Sequence, residues 1–175
     1  MDTIVINLIG GPCSGKSTQA AKLFSALKER GIRAELLTEK IKPYIYEKNN
    51  SAINCQIKLF AEELYELQNL NGKCDIIVHD GSLINNVVYD LSNNHLFHSL
   101  VIQEFNKFNN ITFFLNREDI PFESFGRIHD RDESLDLDER IKNAHMFAGI
   151  NFNEVSSKNA VEEIISFALS LSEGS

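Results

Sequence analysis

The chain has 175 residues and an apolar fraction of 43%, which suits one domain around one hydrophobic core, and its apolar runs are too short for a transmembrane helix. The formal net charge of −8 disfavours a broad electrostatic grip on DNA or RNA, although it leaves room for a local basic cleft. The start, Met1-Asp2-Thr3-Ile4-Val5, has no basic region and no long apolar run, so no signal peptide is expected; Cys13, Cys55 and Cys74 are odd in number and lack zinc-site spacing, which fits a reduced, cytoplasmic setting.

Thr3 to Ile9 is β-branched, almost wholly apolar and followed by glycines, as a buried parallel strand should be. Lys16 to Arg30 has helical spacing, with Ala20, Leu23, Phe24 and Leu27 on one face and Gly31 as its stop. Ala34 to Thr38 reads as a second strand ending at Glu39, and Pro43 restricts any helix there to beginning near it. The apolar period from Ala52 to Leu70 predicts one long amphipathic helix, which leaves an oligomer face open, and Asn71-Gly72 ends it. Ile76-Ile77-Val78 is a third strand. Ser82 to Tyr89 and His95 to Phe108 read as helices, with Asn93-Asn94 between them.

Ile111 to Leu115 is a fourth strand. The charged segment from Asn116 to Glu133 contains Pro121 and Gly126 and reads as an excursion, lid-like over about 117–133. Leu135 to Ala148 returns to helix and Gly149 closes it; Phe152 to Val155 is a short fifth strand, and Lys158 to Leu171 is the last helix. Strands alternating with helices predict an α/β fold whose parallel sheet is covered on both faces.

Gly10-Gly11-Pro12-Cys13-Ser14-Gly15-Lys16-Ser17 matches G-x-x-x-x-G-K-[ST] and falls between a strand and a helix. In that context backbone N–H groups wrap a polyphosphate, Lys16 reaches its β- and γ-phosphates and the Ser17 hydroxyl ligates Mg²⁺. Cys13 inside this loop invites a redox role, or simply fills a tight turn. Ligands of open α/β sheets bind beyond the carboxyl ends of the strands, which here carry Glu39, His79-Asp80 and Asn116-Arg117.

Asp80 after an apolar run can hold the Mg²⁺ shell or accept a proton, or it can cap the next helix. Glu39 is a candidate general base or hydroxyl acceptor, or a solvated neighbour of Lys40 and Lys42. Arg117, Arg127 and Arg131 can clamp a transferring phosphoryl group, or pair with the acids Glu118, Asp119, Asp130, Asp132 and Glu133 around them. His79, His129 and His145 show no metal pattern and read as satisfied core or surface histidines, while Asn85 and Asn86 lie close enough to Asp80 to face the cleft.

The residues Ile9 to Thr18, Thr38-Glu39, Ile77-Val78-His79-Asp80-Gly81-Ser82, Phe113-Phe114-Leu115-Asn116-Arg117 and Gly126-Arg127 together resemble the small P-loop nucleoside and nucleotide kinases. The chain looks most similar to AAA-type domains related to the ribosylnicotinamide kinase domain of a bifunctional NAD-biosynthesis regulator, which are often found in phage genomes. The resemblance implies a three-layer P-loop NTPase fold, with a five-stranded parallel sheet in the order 2-3-1-4-5. It implies ATP and Mg²⁺ as cofactors, bound by Gly11, Cys13, Ser14, Gly15, Lys16, Ser17 and Thr18. It further implies Ser17 and Asp80 for the metal, Glu39 for the substrate, and Arg117 and Arg127 in an arginine-bearing lid. Gly81 departs from the pattern, because many nucleoside kinases carry an arginine directly after the aspartate.

The function expected is transfer of the ATP γ-phosphate to a small nucleoside, nucleotide or nicotinamide riboside-like acceptor. The alternatives are a kinase acting on polynucleotide ends or modified DNA bases, and a nucleotide-dependent switch. A small GTPase needs N-K-x-D, and Asn106-Lys107-Phe108-Asn109 does not supply it.

Overall fold

The computed structural model describes residues 3–117 and 131–172. Five strands, β1 (Ile4–Ile9), β2 (Ala34–Leu37), β3 (Ile76–His79), β4 (Asn109–Asn116) and β5 (Asn153–Ser156), form one parallel sheet in the order β2-β3-β1-β4-β5. This is the order that the family resemblance implied.

Side chains alternate across a strand, so each strand feeds two cores. Ile6 and Leu8 of β1, Ile76 and Val78 of β3, and Phe113 and Leu115 of β4 face helices α1 (Lys16–Glu29) and α8 (Ala160–Ser172). Leu23 and Leu27 of α1 and Ile164 of α8 fill that layer and are essentially buried. Truncating such a leucine to alanine costs about 2–5 kcal/mol, which makes this face a rigid base for the β1–α1 connection.

On the other face, Val5, Ile77 and Leu37 pack against α4 (Gln56–Leu70) and α6 (His95–Phe105), and Phe60 meets Phe97 edge-on with ring centroids 5.5 Å apart. Ile9 and Phe114 pack against Leu137 and Ile141 of α7 (Arg131–Phe147). Among the described residues no helix is long and apolar enough to cross a membrane.

Several elements differ from expectation. The helix expected over 52–70 is two: α3 (Asn50–Ile53), capped by the Asn49 side chain on the Ala52 N–H, and then α4, with non-helical backbone at Cys55 between them. An unbroken apolar period masks this bend, which aims Gln56 at the cleft. A short helix α2 (Ile41–Tyr46) holds Pro43 as its third residue, where the missing N–H has no intrahelical acceptor to lose. Only α5 (Asn85–Tyr89) is helical in the segment expected to be helix from Ser82. Helix α7 begins at Arg131, not Leu135, so the far end of the expected excursion is helix.

Candidate active site

Four strand ends and five helices build the site. After β1, Gly10 (φ 142°), Cys13 (φ 63°) and Gly15 (φ 87°) curl the backbone into a loop that delivers α1. Cys13 is a buried non-glycine residue in the left-handed region, a strained conformation that the surrounding loop must enforce. A Cβ at Gly10 would lie 2.9 Å from Ser14 Oγ, so close packing as well as backbone conformation requires glycine there.

The start of α1 has no side-chain cap and no acidic residue in its first turn. Its N–H groups and its positive dipole end are therefore available to an anion. Ser14 Oγ is buried without a hydrogen-bond partner, which also fits a loop that binds an anion. Lys16 is buried and donates from Nζ to Gly11 O at 2.9 Å. Thr18 is exposed in the first turn of α1. Gly11, Cys13, Ser14, Gly15, Lys16, Ser17 and Thr18 are thus gathered in one loop and helix start.

Asp80 follows β3, and its backbone N–H bonds to Leu37 O of β2 at 2.8 Å. Its side chain is 2% exposed and its Oδ1 has no partner, so it does not cap α5. Its Oδ2 lies 3.8 Å from Lys42 Nζ, which also donates to Ser17 Oγ at 2.7 Å and lies 4.0 Å from Glu39 Oε2. The structure thus brings Ser17, Glu39 and Asp80 around one ammonium. Lys42 was missed as a site residue because, in sequence, it is only a charge beside Glu39.

The donors suit Mg²⁺. A hydroxyl and a buried carboxylate with a free oxygen face one point, and no group of three or more His, Cys, Asp or Glu among the described residues forms an all-protein cage. Mg²⁺ is typically bound through one or two carboxylates plus substrate phosphates and water.

Beyond the loop lies a cleft of about 870 Å³ including its open mouth, between Lys16, Glu39, Lys42 and Asp80 on one side and α4 and α5 on the other. Ile45, Leu59 and Tyr89 give it apolar walls. Its far wall is polar and internally wired: Gln56 Nε2 donates to Asn86 Oδ1 at 2.9 Å, and Asn86 Nδ2 donates to Glu63 Oε2 at 2.7 Å. Glu63 Oε1 lies 2.5 Å from His79 Nε2, and His79 Nδ1 meets Asn7 Oδ1 at 3.1 Å. Asn85 and Asn86 do line the cleft, and His79 is a fully buried histidine that is hydrogen-bonded through Nδ1, while its Nε2 lies beside the Glu63 carboxylate without hydrogen-bond geometry. Gln56 and Glu63 gave no sequence signal, since polar residues on an amphipathic helix read as solvent-facing.

Helix α7 closes the other flank of the loop. Ser134, Asp138 and His145 recur at helical spacing on one face. Ser134 Oγ donates to Pro12 O at 2.5 Å, and Asp138 Oδ1 accepts the Gly11 N–H at 2.5 Å. His145 Nδ1 faces Ile141 O at 2.8 Å and must donate to that carbonyl, so Nε2 is free to accept the Ser82 hydroxyl at 3.2 Å. Burial pushes the His145 pKa down to about 4, against the opposing pull of its bond to Ile141 O.

Arg117 is engaged with Asp138 Oδ2 through Nε at 2.7 Å and with Ser134 O through Nη2 at 2.9 Å, beside Gly11. Among the described residues its acid partner is therefore on α7. Arg127, His129 and most of the 117–133 excursion lie outside the described residues, as does the side chain of Arg131.

A family model described as an AAA domain matches residues 5–163. The chain belongs to that family. No curated protein matches it in sequence. Among solved structures, it is similar to deoxyadenosine kinase from M. mycoides, solved with the products dCMP and a flexible dCDP bound. That match has a TM-score of 0.60 and 16% sequence identity and covers 96% of this chain and 100% of the other. For this AAA-domain chain the likeness establishes the fold: a P-loop kinase-like α/β sheet with the phosphate loop after its central strand.

Proposed function

We propose that this chain is an ATP- and Mg²⁺-dependent phosphotransferase that moves the γ-phosphate to a small nucleoside, nucleotide or nicotinamide riboside-like acceptor. The observation that carries this reading is the shared cleft. The phosphate loop's Lys16, the strand-end acids Glu39 and Asp80, and the amide-rich wall of Gln56 and Asn86 all open onto one space of ligand size. The structural likeness to a kinase solved with dCMP and dCDP supports an acceptor of nucleoside type.

In this reading the loop N–H groups and Lys16 hold the triphosphate and offset the charge that develops on the transferring group. Ser17 and Asp80 hold Mg²⁺, which supplies charge neutralisation across the phosphates. Glu39 or Asp80 takes the proton from the acceptor hydroxyl as its oxygen bonds to phosphorus and the bond to the ADP oxygen breaks. Arg117, held beside Gly11, secures the loop from its flank, and Arg127 remains a proposed phosphate contact. The apolar walls and the wired amides orient the acceptor.

The test is γ-phosphate transfer from labelled ATP with Mg²⁺ to nucleosides, deoxynucleoside monophosphates, nicotinamide riboside and 5′-hydroxyl oligonucleotides. A labelled small product that disappears in Lys16→Ala is the expected result. Label only on the oligonucleotide, or only in free phosphate, overturns small-molecule transfer.

A further inference from the structure

The ammonium of Lys42 stands where a metal ion is expected. It is 2.7 Å from Ser17 Oγ, 3.8 Å from Asp80 Oδ2 and 4.0 Å from Glu39 Oε2. A buried carboxylate without a nearby cation is strongly disfavoured, and Asp80 is among the most deeply buried acids described. Lys42 supplies that cation from its own chain. It reaches the spot from α2, a six-residue helix with no buried residue, so neither its stem nor its helix is locked into the core.

An ammonium and a divalent cation cannot share this cradle. They would use the same oxygens, and like charges at such separations repel each other. We propose that Lys42 is a built-in cation that fills the Ser17–Asp80–Glu39 cradle when no metal is bound and competes with the divalent ion for it. Metal arrival then requires Lys42 Nζ to leave. Its side chain borders both the cradle and the acceptor cleft, so the cleft is the space open to it. The consequence is a raised threshold for metal binding. The ion alone has to displace Lys42, whereas an ion delivered with nucleotide phosphates brings extra ligands and does so readily. This inference rests on the reading that Ser17 and Asp80 hold the metal.

The experiment is direct Mn²⁺ binding to the nucleotide-free protein, read from loss of the free-ion electron paramagnetic resonance signal, with no dependence on turnover. Lys42→Met keeps the stem and removes the charge, and its Mn²⁺ affinity is expected to rise about tenfold or more over the unmodified chain. Lys42→Arg keeps the charge and is expected to bind as weakly as the unmodified chain. Thermal melts provide a second readout. Without metal, Lys42→Met melts below the unmodified chain, and saturating Mn²⁺ raises its melting temperature by the larger amount.

Adding Asp80→Asn to Lys42→Met locates the ion. If that double variant loses the gained affinity, the ion sits in the cradle. If Lys42→Met binds no tighter than the unmodified chain while Asp80→Asn still weakens binding, the metal site stands and the competition is refuted. Equal gains in Lys42→Met and Lys42→Arg refute it too, because charge is then not the cause. If Asp80→Asn changes nothing in either background, the metal site itself is misplaced and the inference goes with it.

Discussion

The Gly11 N–H donates to Asp138 Oδ1 at 2.5 Å, so the phosphate loop is tied to a helix 127 residues further along the chain. The same helix places Ser134 O where a Cβ on Gly11 would meet it at 2.5 Å, with Arg117 Nη2 at 2.7 Å. Two of the three obstacles are a backbone carbonyl and a guanidinium already held by Asp138, and neither can yield cheaply.

Gly11→Ala should therefore wedge α7 away from the loop without any change of charge. Overpacking of this kind costs about 1–3 kcal/mol. Urea unfolding should show the loss, and amide hydrogen exchange should show faster exchange over 131–147. An unchanged midpoint with unchanged exchange would mean that α7 does not bear on Gly11.

Asp138 serves two donors, the Gly11 N–H and the Arg117 guanidinium. Asp138→Ala strands both, and a loss of about 2–3 kcal/mol is expected, below the full cost of breaking a buried pair because both side chains keep some contact with water. Asp138→Asn retains one acceptor and should lose less. The double variant Asp138→Ala/Arg117→Met removes both charges and should recover part of the stability, which a double-mutant cycle measures directly.

Asn86 joins Gln56 to Glu63 on the cleft wall. If that wall orients the acceptor, Asn86→Ala should raise the acceptor KM about tenfold or more while leaving the KM for ATP within about twofold. Steady-state kinetics on whichever acceptor the labelled-ATP panel identifies separates the two. An equal rise in both constants would indicate general loosening of the cleft and not a role in orientation.

His145 makes stability depend on pH with a definite sign. Its pKa is about 4 in the folded chain and 6.5 when unfolded, so between those values the unfolded chain binds more protons. Stability contributed by keeping this ring neutral is complete above pH 6.5 and is lost as pH falls toward 4, by up to about 3 kcal/mol for a shift of this size. Urea midpoints measured across that range should slope downward with acid, and His145→Gln should flatten the slope. An identical slope in the variant would assign the acid sensitivity to other groups.

The sheet and the phosphate loop were legible in the sequence because their signals are local. Ile4 to Ile9 is an apolar run, and the glycines and Lys16-Ser17 follow at fixed spacing. The bend at Cys55 was not legible, since Ala52, Ile53, Ile57 and Phe60 keep one apolar period through it. Glu63 and Gln56 were invisible for a related reason: a helix face that borders a polar cleft carries the same residues as one that borders water. Asp138 was invisible because its partner is set by the way α7 docks, and nothing near it in sequence marks the Gly11 N–H as its donor. Lys42 belongs to neither class. It sat in view beside Glu39, but its meaning depends on the position of Asp80 and Ser17 in space.

The strand order has a further consequence for how the site comes into being. Strand β1, which carries the phosphate loop, lies between β3 and β4, and neither follows it directly in the chain. During synthesis β1 must wait for residues 76–79 to gain its first neighbour and for residues 109–116 to gain its second, and its helix flank is completed only with Asp138. Closing such distant pairings is slow and leaves apolar edges uncovered meanwhile. The nucleotide loop leaves the ribosome before the strands and the helix that give it its shape.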